Sequence, residues 1–365
     1  MTFPHTNTQA GGAISSEDAG VKLVRRMKTS NATLPPVTAK DVARELDLSQ
    51  PTVSRILSGD AAHRASDATR KRVWETAERM GYQPNAVARS LRHGRTNVIG
   101  VHTNHNYDVR NDFLGTIVGA LQCACGAYHL DLMLHNSLGS PAETMFGKLR
   151  DGRIDGLILH AGSDDPLVEI LGRSPLPVVA VADSLPGFPA VTCDDAGGME
   201  QLVALLWERG HRNFAFLAPR VWLPSVEKRQ KAFEAELKQR GVLPESRRII
   251  PIDFEQAAPA LDELQRAAPV AALCWNDRAA YNLLRECRVR EVRVPEQVAV
   301  TGFDGFRDDQ LPALELVTVK CPWEDVATEA LRQLVELIDL RQKKQAPPPP
   351  EEVRFPVTVL DGDTI

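Results

Sequence analysis

The sequence predicts an α/β protein, with an all-α helix-turn-helix head ahead of two doubly wound parallel-sheet lobes. Three observations support this. Residues 37–57, VTAKDVARELDLSQPTVSRIL, read as two short helices joined by a tight turn. From Val98 onward, short apolar runs alternate with amphipathic stretches. Charge is also split: the chain is −5 overall, yet Val37–Arg95 holds eleven basic and seven acidic residues, a net of +4. A basic segment on an acidic body is expected where one domain meets phosphate and the other does not.

Residues 1–36 are rich in Thr, Ser, Asn, Gly and Ala and show no period, so a disordered tail is expected, with Met27 an alternative start. The head, 37–83, follows. Thr38 opens a helix with an acid three positions on, and Val42, Ala43 and Leu46 share a face. Ser49 can cap the second helix, with Pro51 in its first turn. Val53, Ile56 and Leu57 face inward. A third helix starts at Ser66 and Asp67, with Val73, Trp74, Ala77 and Met80 as its apolar stripe and Gly81 as its end. Residues 84–96 form a short helix, capped by Asn85 and closed at Gly94, plus a linker. A helix this short is unstable alone in water, so its ordering must be coupled to binding.

The core strands are expected at 98–101, 130–136, 155–160, 177–183, 214–218, 271–275 and 298–304, with a last one in VRFPVTVL after the Pro347–Pro350 run. Helices lie between, as at Gly198–Arg209 and Glu227–Arg240. Near-continuous apolar strands separated by helices indicate parallel sheets covered on both faces. Residues 97–192 with 323–345 are assigned to one lobe, and 193–322 with 346–365 to the other.

Composition excludes several classes. No apolar run approaches the ~18–20 residues of a membrane helix, and the first residues hold no signal-peptide core. A cytoplasmic protein with no membrane partner is expected. Six cysteines are sparse, and the Cys123/Cys125 spacing is not CxxC, so no metal and no cofactor is expected. GxGxxG, P-loop and GxSxG motifs are absent. His102, His105 and His160 near strand ends read as lining or surface, so no catalytic residue is assigned.

A recognition helix presents its N-terminal side chains to base edges. Here these are Gln50, Pro51, Thr52 and Arg55. Gln pairs with adenine and Arg with guanine, while Pro51 offers apolar contact. Thr38, Ser49, Ser54 and Thr69 carry hydroxyls suited to phosphate, and Tyr82 is placed with the DNA-facing set. In the lobes, ligands bind at the carboxyl ends of the strands. That rule selects Asn276, after AALCW, and Asp304, after VAVTGF. Phe113 and Trp222 are further lining candidates.

VTAKDVARELDLSQPTVSRIL and ATRKRVWETAERMGYQPNAVARSLRHGRTNVIGV resemble the head, hinge and first core strand of the lactose-repressor (LacI/GalR-type) family of bacterial transcriptional regulators. DGLIL, ERGHRNFAFLAP, CWND, VPEQVAVTGFD and LELVTVKCPWEDVATEAL resemble its core landmarks in order. The loop GDAAHRAS is longer than the family's. The resemblance implies a two-lobed periplasmic-binding-protein-like core. It also implies a hinge helix that forms on DNA and wedges the minor groove with Leu91, beside Asn85, Ala88 and Arg92. It further implies an effector-binding arginine at Arg229, an acid at Asp304 and a stacking aromatic at Phe254. The expected function is a regulator, most simply a repressor. It would act as a homodimer on pseudo-palindromic double-stranded operator DNA, with affinity set by a small effector such as a sugar. A purine-type or other co-repressor, and a sugar-binding protein that does not bind DNA, are the alternatives.

Overall fold

The computed structural model describes residues 37–58, 64–83, 90, 94–103, 112–135, 140–220, 223–252, 256–307 and 315–365. The chain divides into two compact units, residues 1–88 and 89–365.

The head holds α1 (Ala39–Leu46), α2 (Gln50–Leu57) and α3 (Asp67–Arg79). Each start is capped as its sequence requires. Asp41 accepts from the Thr38 backbone N–H at 3.0 Å and from its hydroxyl at 2.6 Å. Ser49 Oγ accepts from Thr52 N, and Ser66 Oγ from Thr69 N, both at 3.2 Å. Such caps satisfy N–H groups that a helix start leaves without partners. Val42, Ala43, Val53, Ile56, Leu57, Val73 and Ala77 form the core. Trp74 departs from expectation: it is 51% exposed. The buried stripe of α3 runs through Val73, Thr76 and Ala77, and Trp74 lies on the flank away from Thr76.

The second unit carries two six-stranded sheets, ordered β11-β5-β4-β3-β1-β2 and β12-β10-β9-β8-β6-β7. The first comprises β1 (Val98–Thr103), β2 (Asp131–Leu134), β3 (Gly156–His160), β4 (Val178–Ala182), β5 (Ala190–Cys193) and β11 (Glu352–Phe355). The second comprises β6 (Phe214–Pro219), β7 (Arg247–Ile252), β8 (Val270–Cys274), β9 (Val298–Asp304), β10 (Val317–Lys320) and β12 (Thr358–Leu360). All pairings are parallel except β10 with β12. Helices α4 (Asp112–Ala127), α5 (Ala142–Leu149), α6 (Pro166–Gly172) and α11 (Trp323–Gln342) accompany the first sheet. With the second go α7 (Asp195–Glu208), α8 (Pro224–Gln239), α9 (Ala258–Arg266) and α10 (Asp277–Val289).

Strands β3, β4, β8 and β9 are buried throughout, which is why they read as continuous apolar runs. Strand β7 was hidden by Arg247, Arg248 and Pro251. Proline lacks a ladder donor and is tolerated on an edge strand, and β7 is an edge. The expectation that residues 346–365 all join the second lobe is corrected. Strand β11 pairs with β5 in the first sheet, Phe355 opposite Cys193, and only β12 joins the second. Pro356 interrupts the ladder between them. Three segments therefore cross between the sheets, at 193–195, 320–323 and 355–358.

Gly156 sets how closely α11 lies on β3. A Cβ there would sit 2.8 Å from Leu334 Cδ1 and 2.9 Å from Ile338 Cδ1.

Candidate functional site

In the head, α2 splits cleanly by burial. Val53, Ile56 and Leu57 are buried, while Gln50, Pro51 and Arg55 are exposed and Thr52 and Ser54 half-buried. The exposed set is the one expected to read bases. The hydroxyls assigned to phosphate already have local roles. Thr38 bonds Asp41, the Ser49 and Thr52 hydroxyls lie 2.8 Å apart, and the Ser66 and Thr69 hydroxyls do likewise. Tyr82 is half-buried against the head core. Asn85, Ala88, Leu91 and Arg92 lie outside the described residues, as do Trp222 and Phe254. At the end of this segment Gly94, with φ +65, donates its N–H to the Ser90 carbonyl at 2.8 Å.

In the core, the strand ends of the two sheets bring charged groups together. Arg229, on α8, is 3% exposed. Its Nε donates to Asp195 Oδ1 at 2.8 Å, and its Nη1 donates to the Trp275 carbonyl. Its guanidinium lies 3.6 Å from the Phe303 ring centroid, a cation–π contact that adds to the clamp. Burial pushes the Asp195 carboxyl up to about 6 against the pull of Arg229, so the pair is ionised at neutral pH.

Asp304 ends β9 with φ 123, next to Gly305, and is 7% exposed. Burial raises its carboxyl well above the ordinary range, against the pull of Arg229 and with the push of Asp277. Asp277 is pushed up to about 7 by burial. It is held by the Thr318 hydroxyl and the Phe306 N–H.

Asp183 plays the matching part in the first sheet, just past β4. Its Oδ1 accepts from Ser225 N at 2.6 Å, and its Oδ2 lies 3.3 Å from His160 Nε2. Ser225 is in the first turn of α8, so a carboxylate of one lobe sits on a helix N-terminus of the other, a favourable place for negative charge. Burial works upward on this carboxyl, but the neighbouring His160 ring and the bond from the Ser225 N–H hold it below its ordinary value. One turn along α8, Lys228 reaches Ser184 Oγ at 3.2 Å and Glu352 Oε1 at 2.9 Å. Phe113 packs on the His160 ring at 5.2 Å and edge-on to Trp323 at 4.8 Å.

Arg229, Asp304 and Phe113, expected from sequence, thus lie in this region with His160, expected as lining or surface, with Asp183, at the end of a strand but not among the assigned site residues, and with Asp195 and Trp323, for which the sequence offered no reading. Asp183 carried the same signal as Asp304, an acid closing an apolar strand. Asp195 carried none. The Asn276 Oδ1 accepts from Ala279 N at 2.9 Å and caps α10, so that oxygen has a structural role. Among the described residues no group of His, Cys, Asp and Glu is arranged to hold a metal, and no helix is long and apolar enough to cross a membrane.

A family model for bacterial regulatory proteins of the lacI family matches residues 38–85, and one for a periplasmic binding protein-like domain matches 203–365. Catabolite control protein A of Priestia megaterium is 30% identical over 313 residues, covering 83% of this chain and 93% of that protein. The HTH-type transcriptional repressor PurR of Aliivibrio fischeri is 26% identical over 314 residues, covering 82% and 91%. The lac repressor dimer bound to operator and the anti-inducer ONPF shares the fold, with a TM-score of 0.75 at 22% identity and coverage of 90% and 99%. A capped helix-turn-helix head, two sheets joined by three crossings and these matches along the chain make it a member of the lacI family of bacterial regulatory proteins.

Proposed function

We propose that this protein is an operator-binding repressor, and that a small hydroxylated effector held between Asp304, Arg229 and the Asp183 side of the core sets its DNA affinity. The observation that carries the reading is the Asp183–Ser225 bond. It ties the end of a first-sheet strand to the first turn of a second-lobe helix, and Arg229 stands on that same helix. A ligand that engages Arg229 and Asp304 therefore acts on the element that joins the lobes. It shifts the lobe equilibrium by its differential affinity for the two arrangements.

On DNA, Gln50, Pro51, Thr52 and Arg55 read the major groove, and Leu91, flanked by Asn85, Ala88 and Arg92, wedges the minor groove. One small head binds weakly, so two copies of the chain on a pseudo-palindrome gain effective concentration. A related transcriptional regulator, CelR, has been solved with cellobiose, which supports a sugar-class effector here. The test is a gel shift with symmetric and half-site DNA selected from a random pool, repeated against a sugar and nucleobase panel. Equal affinity for full and half sites refutes the paired reading, and no response to any effector refutes the sensor.

A further inference from the structure

A cavity of about 910 Å³ opens at the amino ends of β4 and β5, away from the strand ends that carry Asp183 and Asp304. Small-molecule sites have volumes of about 300–1,000 Å³. Leu176 and Phe188, on the segments entering β4 and β5, line it on one side. Leu337 and Leu340, both half-buried on α11, line it on another. Residues 346–350, which carry the chain from α11 to β11, lie across it as a strap. The strap explains why the space stays open. Pro347 to Pro350 have no N–H to donate, so they cannot ladder with β5. Pairing resumes only where Ala190 donates to the Glu351 carbonyl at 3.0 Å. Successive prolines also favour a stiff, extended chain, which spans the gap without collapsing into it.

The charges that line the cavity are unevenly matched. Arg332 is paired with Glu329 at 2.7 Å and with Glu336 at 2.5 Å. Arg341 and Lys344 make no ion pair and no side-chain hydrogen bond among the described residues. The remaining acid of the described lining is Glu351. The end of α11 does not use the two cations: the Gln345 N–H bonds the Leu340 carbonyl at 2.9 Å, and the Lys344 N–H bonds the Arg341 carbonyl at 3.0 Å. The helix dipole favours positive charge there but gives these side chains no partner. Lys344 also has φ 56, the left-handed conformation that glycine usually supplies at a helix end, so a charged side chain stands where the backbone favours none.

From this geometry we infer that the cavity binds an apolar monocarboxylic acid. The hydrocarbon or aromatic body lies against Leu176, Phe188, Leu337 and Leu340, and leaves water in proportion to its apolar area. The carboxylate meets Arg341, whose planar fork fits two carboxylate oxygens, and Lys344. Two unpaired cations against Glu351 leave one positive charge, which a single carboxylate neutralises. A phosphate dianion would leave excess negative charge beside Glu351.

The experiment is isothermal titration calorimetry of the full chain at neutral pH, with probes that share a body and differ in the head group. These are octanoate, octanol and octylamine, and phenylbutyrate, phenylbutanol and phenylbutylamine. At least one acid binds about tenfold or more tighter than its alcohol, the scale of one charge-assisted contact, and the matching amine binds no better than the alcohol. The double variant Arg341→Ala/Lys344→Ala lowers the acid to the level of its alcohol. Both positions are exposed, so the variant folds. It also separates this cavity from the strand-end region around Arg229, where the preference would survive. Phe188→Ala and Leu337→Ala weaken acid and alcohol together, and if one of them does not fold the other carries the comparison. The inference is overturned if no acid binds, if an alcohol or amine binds as tightly as its acid, if the preference survives in the double variant, or if shortening the apolar lining leaves binding unchanged.

Discussion

Arg229 and Asp195 form a buried ion pair 2.8 Å long, with side chains only 4% and 2% exposed. It joins the first turn of α7 to the middle of α8 and fixes the guanidinium over Phe303. Removing one partner of such a pair leaves the other charged and unsolvated, which typically costs about 3–5 kcal/mol.

Arg229→Ala is therefore expected to destabilise the core by about that amount. Asp195→Asn should cost less, because Arg229 still has the Trp275 carbonyl and the attraction of Asp304. Urea unfolding of both variants checks the order. A smaller loss for Arg229→Ala than for Asp195→Asn contradicts it.

Asp183→Ala removes the acceptor of the Ser225 N–H and leaves His160 without its carboxylate. The expected loss is about 1–3 kcal/mol, the cost of one unsatisfied buried donor. The more telling readout is coupling. Because the bond joins the lobes, the effector-induced change in DNA affinity should shrink while DNA binding itself persists. Anisotropy titrations with and without effector measure both, and unaltered coupling excludes a linking role.

His102 gives the acid side of the stability curve a definite sign. Burial pushes its imidazole down to about 4, opposed by Asp165 and assisted by His135 and His160. The unfolded chain binds that proton near the ordinary value of 6.5, so from 6.5 down to about 4 the folded state refuses a proton that the unfolded state accepts. Stability is lost across that window by up to about 3 kcal/mol. Asp195 and Asp277, raised to about 6 and 7, act oppositely: the stability they add at low pH is lost as pH rises through those values. The clean measurement is the difference between wild type and His102→Gln at each pH. It should change between 6.5 and 4 and stay flat above 7; a flat difference throughout means His102 titrates normally.

Arg55 and Leu91 should separate reading from wedging. Arg55 is exposed, so Arg55→Ala leaves the head's melting unchanged. It should lose about 1–3 kcal/mol of discrimination at one base pair. Leu91→Ala should lose specific binding at every sequence and keep weak, salt-sensitive binding. Competition binding against single-base variants of the operator distinguishes the two patterns.

Gly156→Ala tests the seating of α11. The added Cβ meets Leu334 and Ile338 below 3.0 Å, so the helix must shift or the side chains leave their rotamers. A loss of about 1–3 kcal/mol is expected. Thermal unfolding at the wild-type value would show that α11 yields freely.

Much of this was legible in the residue order. Local capping rules placed Thr38, Ser49 and Ser66, each confirmed by a bond within three positions. Apolar strands mark the interior of both sheets, and strand ends and resemblance single out Asp304 and Arg229, both of which are buried. Trp74 escapes burial although its spacing to Ala77 fits a helix face, because the buried stripe is centred on Val73 and extends to Thr76 on the side away from Trp74. Strand β7 was missed because an edge strand alternates and tolerates Pro251.

The capped helix-turn-helix head, the doubly wound lobes and an acid at the end of β9 follow from residue order, since these depend on contacts a few residues apart or on a strand's own composition. It took the folded chain to show that Asp183 meets Ser225, that Asp195 neutralises Arg229 and that Asp304 is buried without a side-chain hydrogen bond among the described residues. Those relations join positions 34 to 42 residues apart, or depend on the absence of a partner. The three crossings between sheets bring such groups together, and no local periodicity encodes which strand end a helix will face.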